Sequence, residues 1–285
     1  MIVVCSDIWA YYINVLPPLQ EGVGGVLNYD IIVFMKKTLI FIDTETTGIG
    51  ADDRLCQLAY ISKQGNETIE TYNELFNPGK KIPPEASAVT HITTKMVADK
   101  PRFIESSDYG RIKNLLEDES SIFIAHNAVF DLGMLAKEDI VPSNFICTLR
   151  VARYLDKQGK LAQYKLQYLR YFLEIEIKAA AHDALGDVLV LCELFPRLYK
   201  SVGKELGIEV PEIISDYDQV ILDKMIEISS QPSLLHVFMF GKHNGKKISD
   251  VAQTDRGYLE WLLEQKRNSD DDESDWIYTL EYFLK

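Results

Sequence analysis

Four carboxylates and one imidazole, carried on three short segments, are the residues whose types and spacing can do chemistry. The first segment is Phe41-Ile42-Asp43-Thr44-Glu45-Thr46-Thr47-Gly48. Asp43 and Glu45 follow an apolar, β-branched run, Thr38 to Ile42, that has the length of a buried strand. Alternate residues of a strand share a face, so the two carboxylates point the same way. Two anions aimed together from a buried strand are costly unless a positive charge stands between them. A hard divalent cation with oxygen ligands meets that need. The competing reading is a strand that runs into an acidic, solvated turn.

The second segment, Ser120 to Ala125, reads as another core strand and runs directly into His126-Asn127-Ala128-Val129-Phe130-Asp131. Asn127 is placed to cap a helix whose first turn carries Asp131 and whose apolar face is Leu132, Leu135 and Ala136. The third segment, Ala179 to Asp187, leads into a helix through Leu198. His182 and Asp187 would lie roughly 140° apart on one continuous helix. With Asp183 as the cap, His182 sits just outside the helix and can fold back toward Asp187. The apolar neighbours Ala179 to Ala181, Ala184, Leu185, Val188 and Leu189 point to burial rather than to a surface histidine. Together, Asp43, Glu45, Asp131 and Asp187 make an all-oxygen ligand set that favours Mg²⁺ or Mn²⁺ over zinc. Two such ions roughly 4 Å apart can clamp an in-line displacement at phosphorus. An imidazole that titrates near neutrality is suited to take the proton of the attacking water.

The remaining elements must hold these groups in place. Asp52 to Ile61 and Thr68 to Phe76 read as antiparallel strands joined by a turn at Gln64-Gly65-Asn66. Pro83-Pro84 opens a short helix, Thr93 or Thr94 caps the next turn, and His91 has a packing or capping role. Pro101 to Leu116 and Gln163 to Leu173 are expected to be helical, the latter burying Leu166, Leu169 and Leu173. Cys147 to Leu155 is amphipathic, and Arg150, Arg153 and Lys157 share one side of it. That stripe is read as a solvated face ahead of a track for a phosphate backbone.

In this order, the three segments resemble the exonuclease motifs of the DEDDh branch of the proofreading-type 3′–5′ exonucleases, the group that includes polymerase III epsilon-like and exodeoxyribonuclease X-like proteins. The likeness spans about residues 37–198. It implies a ribonuclease H-like α/β fold with a mixed five-stranded sheet flanked by helices. It implies that Asp43, Glu45 and Asp187 bind a catalytic Mg²⁺ or Mn²⁺ ion and that Asp43 bridges to a second. Asp131 then supports the second ion and His182 is the general base. The sister branch carries a tyrosine where this chain has Asp183, which favours the histidine branch. Substrate contacts are implied for Thr46, Thr47, Asn127 and Phe130. The implied reaction releases nucleoside 5′-monophosphates from a 3′ end, with DNA as the polymer and RNA trimming as its rival. A DNA polymerase is the partner expected if the chain instead serves as a proofreading or scaffold subunit.

The tail is a separate matter. Residues 201–232 read as a helical connector, with a helix over Tyr217 to Ser229. Phe238 to Val251 has a hairpin pattern around Asn244-Gly245, and Tyr258 to Leu263 a short amphipathic helix. Phe240-Gly241-Lys242, Gly245-Lys246 and the Tyr258-Leu259-Glu260-Trp261 run resemble the small C-terminal module of exodeoxyribonuclease X-like proteins, expected over residues 233–285 as an α+β unit. Lys242 and Lys246, with His243 and Lys247, cluster where they can grip phosphates. Asp270 to Asp275 reads as a mobile acidic stretch.

Composition sets outer bounds. At 285 residues the chain has ample length for a core, and 47% hydrophobic with 26% charged residues is ordinary for a globular protein. Four scattered cysteines without a paired spacing fit reduced thiols and a cytoplasmic setting, and no apolar run is long enough for a membrane. The net charge of −13 opposes nucleic-acid binding at first sight. It is concentrated in the tail: residues 1–200 hold 21 Lys and Arg against 26 Asp and Glu, and residues 201–285 hold 9 against 17. Two bound divalent ions would nearly neutralise the first part. Residues 1–34 are apolar, broken by Pro17-Pro18, and carry no Lys or Arg. Met35 is therefore expected as the start of the exonuclease domain, residues 35–200, with the preceding 34 residues an atypical extension or upstream sequence.

Overall fold

The structure is a computed structural model that describes residues 37–177, 184–269 and 273–285. The expectations for residues 1–34, for His182 and Asp183, and for Asp270 to Asp272 lie outside the described residues.

β1 (Thr38–Thr46) is the strand on which the sheet is built. Both its faces are covered, which is why its sequence is a continuous apolar run rather than an alternation. Leu39 and Phe41 face one layer, where α7 (Ala184–Leu206) and α8 (Gln219–Ser230) pack. Ile40 and Ile42 face the other, where α3 (Tyr109–Glu117) and α4 (Ala128–Ala136) pack. β2 (Leu55–Gln64) and β3 (Glu67–Leu75) pair antiparallel on one side of β1, joined by the expected turn with Gly65 at φ 59°. β4 (Ser121–Ala125) and β5 (Phe145–Cys147) continue the sheet in parallel on the other side. The order is β3-β2-β1-β4-β5, the mixed five-stranded sheet that the resemblance implies. It places the carboxyl ends of the parallel strands β1 and β4 side by side.

Between β3 and α3 lie α1 (Pro84–Thr90), with proline in its first turn, and α2 (Thr94–Val97). His91 ends α1 in a left-handed conformation, so its role is a backbone cap. The region read as one helix from Pro101 is a 3₁₀ turn, Phe103–Glu105, followed by α3. α5 (Thr148–Leu155) and α6 (Leu166–Phe172) follow β5.

Two expectations about charge are corrected. The Arg150–Arg153 stripe of α5 is neither a solvated face nor an open phosphate track. Arg150 is 9% exposed, donates from Nη1 to the Ser229 carbonyl at 2.7 Å and sits 3.7 Å from Asp275. Arg153 pairs with the same carboxylate. Asp275 in turn lies in α11 (Ser274–Leu284), so the last part of the acidic stretch is an anchored helix start and not a mobile tail. Lys157 lies beyond α5 and pairs with Glu205 at 2.6 Å.

The segment read as a connector contributes α8 to the main core: Ile221, Leu222 and Met225 are buried, and Ser229 Oγ accepts from the Cys147 N–H at 2.8 Å. The hairpin read at Phe238–Val251 is also corrected. It is a single bridge, Val237 with Lys247, closed over a 3₁₀ turn at Gly241–His243, and Ile248–Thr254 is helix α9. The apolar residues after Lys247 favour a helix because Ile248 and Val251 lie on one helical face and join Phe238, Leu259, Leu262 and Leu280 in a core of their own. α10 (Arg256–Arg267) and α11 complete that core.

Candidate active site

Asp43 and Glu45 stand at the carboxyl end of β1, half-buried, on the face that continues from Leu39 and Phe41. The intervening Thr44 is 5% exposed and points the other way. There it meets Asp131: one carboxylate oxygen accepts from the Thr44 backbone N–H at 3.1 Å and from its hydroxyl at 2.7 Å. The second segment is thus stitched to the first at the residue between its two acids. Asp131 lies in the first turn of α4, 3% exposed, and burial pushes its carboxyl up to about 7 against the lowering effect of both Thr44 donors. Asn127 holds the N-cap position in a left-handed conformation, φ 67°, and its side chain makes no capping bond.

Asp187 is in the first turn of α7, which lies over β1 through the contact of Phe195 with Phe41, ring centroids 5.4 Å apart. Its carboxylate accepts from Gln167 Nε2, a residue of α6. Gln167 is held in turn by Arg170, whose other guanidinium nitrogen donates to the Ile177 carbonyl at 2.8 Å. Neither Gln167 nor Arg170 is marked by any spacing in the sequence. His182, the base candidate, lies outside the described residues, between Ile177 and Ala184.

Among the described residues, no group of three or more His, Cys, Asp and Glu side chains is gathered closely enough to hold a metal ion. Bare carboxylates repel one another, and two of these four have turned to protein donors, Thr44 and Gln167. The donor set nonetheless fits a hard divalent cation, being all oxygen and borne at the ends of β1, α4 and α7.

The substrate candidates divide. Thr46 and Thr47 are buried, and their hydroxyls shape the turn after β1: Thr46 donates to the Gly48 carbonyl at 2.8 Å and Thr47 to Asp53 at 2.7 Å. Thr47 with Lys80 and the Gly50 N–H holds the Asp53 carboxyl down to about 2 despite its partial burial. Their hydroxyls are therefore committed to the fold, which leaves the backbone as the route of contact. Phe130 is half-buried and Asn127 exposed. Lys242 pairs with Asp255 at 2.8 Å and lies over the Tyr258 ring, and His243 is buried against the same carboxylate at 2.9 Å. Lys246 is exposed.

His126 is a residue that sequence reasoning passed over. Burial pushes its imidazole down to about 4, so it is neutral. A carbonyl can only accept, so Nε2–H donates to Tyr164 O at 2.7 Å and Nδ1 takes the Thr148 hydroxyl at 2.9 Å. It ties the β4–α4 turn to the loop before α6. Its place beside Asn127 was the available signal.

The family model described as Exonuclease matches residues 40–195, and one described as Exodeoxyribonuclease X-like C-terminal matches residues 238–267. Exodeoxyribonuclease 10 of Escherichia coli (strain K12) is 31% identical over 253 residues, covering 87% of this chain and 99% of that protein. DNA polymerase III subunit epsilon of Treponema pallidum (strain Nichols) is 30% identical over 189 residues, covering 63% of this chain and 85% of that protein. Among solved structures, exonuclease X in complex with 5′ overhanging duplex DNA superposes with a TM-score of 0.51 at 25% identity, covering 67% of this chain and 99% of that one.

Proposed function

The chain belongs to the exonuclease family, in its DEDDh-type 3′–5′ branch, and from that membership we propose a metal-dependent enzyme that shortens DNA from its 3′ end and releases nucleoside 5′-monophosphates. The observation that carries the site assignment is the pair of hydrogen bonds from Thr44 to Asp131, which brings the acid of one segment to the strand that bears Asp43 and Glu45. Asp43, Glu45 and Asp187 would hold one Mg²⁺ or Mn²⁺ ion, and Asp43 with Asp131 a second. Bound there, such cations supply the charge that lowers the pKa of an attacking water and neutralises the leaving oxygen.

The chain's own residues do the rest. His182 takes the proton of the water. Thr44 fixes one oxygen of Asp131, and Gln167 fixes one oxygen of Asp187, so each acid presents its other oxygen in a set direction. The backbone of Thr46 and Thr47 and the side chains of Asn127 and Phe130 seat the terminal nucleotide. Single-stranded or frayed ends suit a site at the mouth of a sheet. Repair or proofreading in the cytoplasm, the latter beside a polymerase, is the matching setting. Among the described residues no helix is long and apolar enough to cross a membrane.

End-labelled single-stranded DNA, duplex DNA and RNA, incubated with Mg²⁺, test this reading beside Asp43→Ala. Mononucleotides from DNA, absent in the variant, are expected. Activity that survives Asp43→Ala refutes the site, and preference for RNA refutes the substrate.

A further inference from the structure

The C-terminal module is docked against the exonuclease layer at two points, beside the helix that leads into it. Asp275 takes Arg150, Arg153 and the Ser233 N–H, the last at 2.7 Å. The loop after α5 presses on the module at Gly159, where φ is 61° and a Cβ would lie 2.5 Å from the Val237 side chain. Ser229 fastens the preceding helix to β5. The docking leaves a cleft of about 1000 Å³ between the two parts.

One end of this cleft is made by active-site elements. His126 and Asn127 line it from the turn that opens α4, four residues before Asp131. Lys165 lines it two residues before Gln167, the partner of Asp187. The far wall is the module, where the half-buried Trp276 rests on the fully buried Phe238, ring centroids 5.6 Å apart.

The charge of the lining is decisive. Among the described residues the lining holds two carboxylates, and both are paired with protein cations: Asp275 with the two arginines, and Glu273 with Lys266 at 2.5 Å. Lys160 and Lys165 are exposed and have no carboxylate partner among the described residues. In a chain of net charge −13 the described lining of the cleft is locally cationic, and one end of it adjoins the turn that opens α4. Its volume is at the top of the range of roughly 300–1,000 Å³ that holds a small molecule. A polymer that carries one negative charge per nucleotide and planar bases matches a groove with lysines on one wall and the half-buried Trp276 ring on the other.

We propose that this cleft receives the nucleic-acid strand that trails from the 3′ end, with Lys160 and Lys165 on its phosphates and the Trp276 side of the module against its bases. The proposal rests on the exonuclease reading for the direction of the strand, and it gives the C-terminal module a function as the outer wall of the substrate channel.

The test uses the full chain, its Lys160→Glu/Lys165→Glu variant and the milder Lys160→Gln/Lys165→Gln variant. Two substrates are compared: thymidine 5′-monophosphate p-nitrophenyl ester, which needs only the active site, and an oligothymidylate of about twelve nucleotides, within the usual span of a single-strand site. The KM for the oligonucleotide is expected to rise at least about tenfold in the Glu variant, while hydrolysis of the ester stays within about twofold. In an Asp43→Ala background, which stops cleavage, both variants should flatten the log Kd against log salt slope by about 1.4, from about 0.7 per lost phosphate contact. An unchanged slope and KM overturn the channel. A parent chain that hydrolyses neither substrate but shows the lysine-dependent slope supports the channel and overturns the exonuclease reading.

Discussion

Asp131 offers a prediction in which the pH dependence follows from one buried group. In the metal-free protein its carboxyl is 3% exposed, and burial raises it from 3.8 to about 7. Below about pH 4 it is protonated both folded and unfolded. Between about 4 and 7 the folded chain binds a proton that the unfolded chain has released, so stability falls as pH rises, and above 7 the contribution of this group is fully spent and the slope vanishes. The shift corresponds to about 4 kcal/mol at about 1.4 kcal/mol per unit. Relaxation around the carboxylate reduces this to about 2–4 kcal/mol. Asp131→Asn keeps an oxygen to accept both Thr44 donors and never ionises. In chelator, the variant is expected to match its parent near pH 4 and to exceed it increasingly up to pH 7. The gap then stays level, at about 5–15 °C in Tm for a chain of this size. Differential scanning calorimetry from pH 4 to 8 measures the gap: groups remote from Asp131 cancel between the two proteins, and what remains is Asp131 with the acid that titrates alongside it. Added Mg²⁺ should stabilise the parent and not the variant, because only the parent offers the full anionic site. A variant less stable than its parent at pH 8 in chelator would refute the reasoning: the Thr44 hydrogen bonds would then outweigh burial.

Gln167→Leu removes the donor to Asp187 and leaves the ligands intact. The Mg²⁺ concentration for half-maximal activity is expected to rise about 10–100-fold, as for other partners of metal ligands, with activity recovered at saturating metal. Metal titration of the steady-state rate checks this. Asp275→Ala strands Arg150 and Arg153, which are 10% and 21% exposed at their side chains. A loss of about 3 kcal/mol and early proteolytic release of the C-terminal module are expected, since removing one partner of a largely buried pair is costly. Limited proteolysis and thermal unfolding read both.

Asp43 and Glu45 were legible because they close the apolar run of β1, and Asp131 and Asp187 because each opens a helix among apolar residues; a carboxylate there is out of place in sequence as well as in space. Helix type followed from apolar spacing at α4, and strand type from a short apolar run between turn residues at β2, which is buried along most of its length. What failed was partner choice. Arg150 and Arg153 share a helix face in either reading, and only the docking of α11, more than a hundred residues later, turns that face inward. That the hydroxyls of Thr46 and Thr47 are taken up by Gly48 and Asp53 was not legible, because local hydrogen bonding leaves no periodic trace. Ile248 to Val251 was read as a strand because the Asn244-Gly245 turn is a hairpin signal. The core formed by Phe238, Leu259 and Leu280 instead selects helix spacing. Gln167 and Arg170 carry no signature at all, since a residue that orients another is defined by the fold that brings them together.

The acidity of the chain looks different once it is resolved by position. An anionic substrate is repelled by the sum of charges only at distances within reach of the ionic atmosphere, about 8 Å at physiological salt. What governs a bound strand is therefore the local sign along its path. Among the described residues, the negative groups on that path are those four acids whose charge divalent cations would offset, then Asp275 and Glu273, which are already paired. Pairing within the protein thus separates a negative molecule from a positive groove, and Asp275 serves both ends: it docks the wall of the groove and removes its own charge from it.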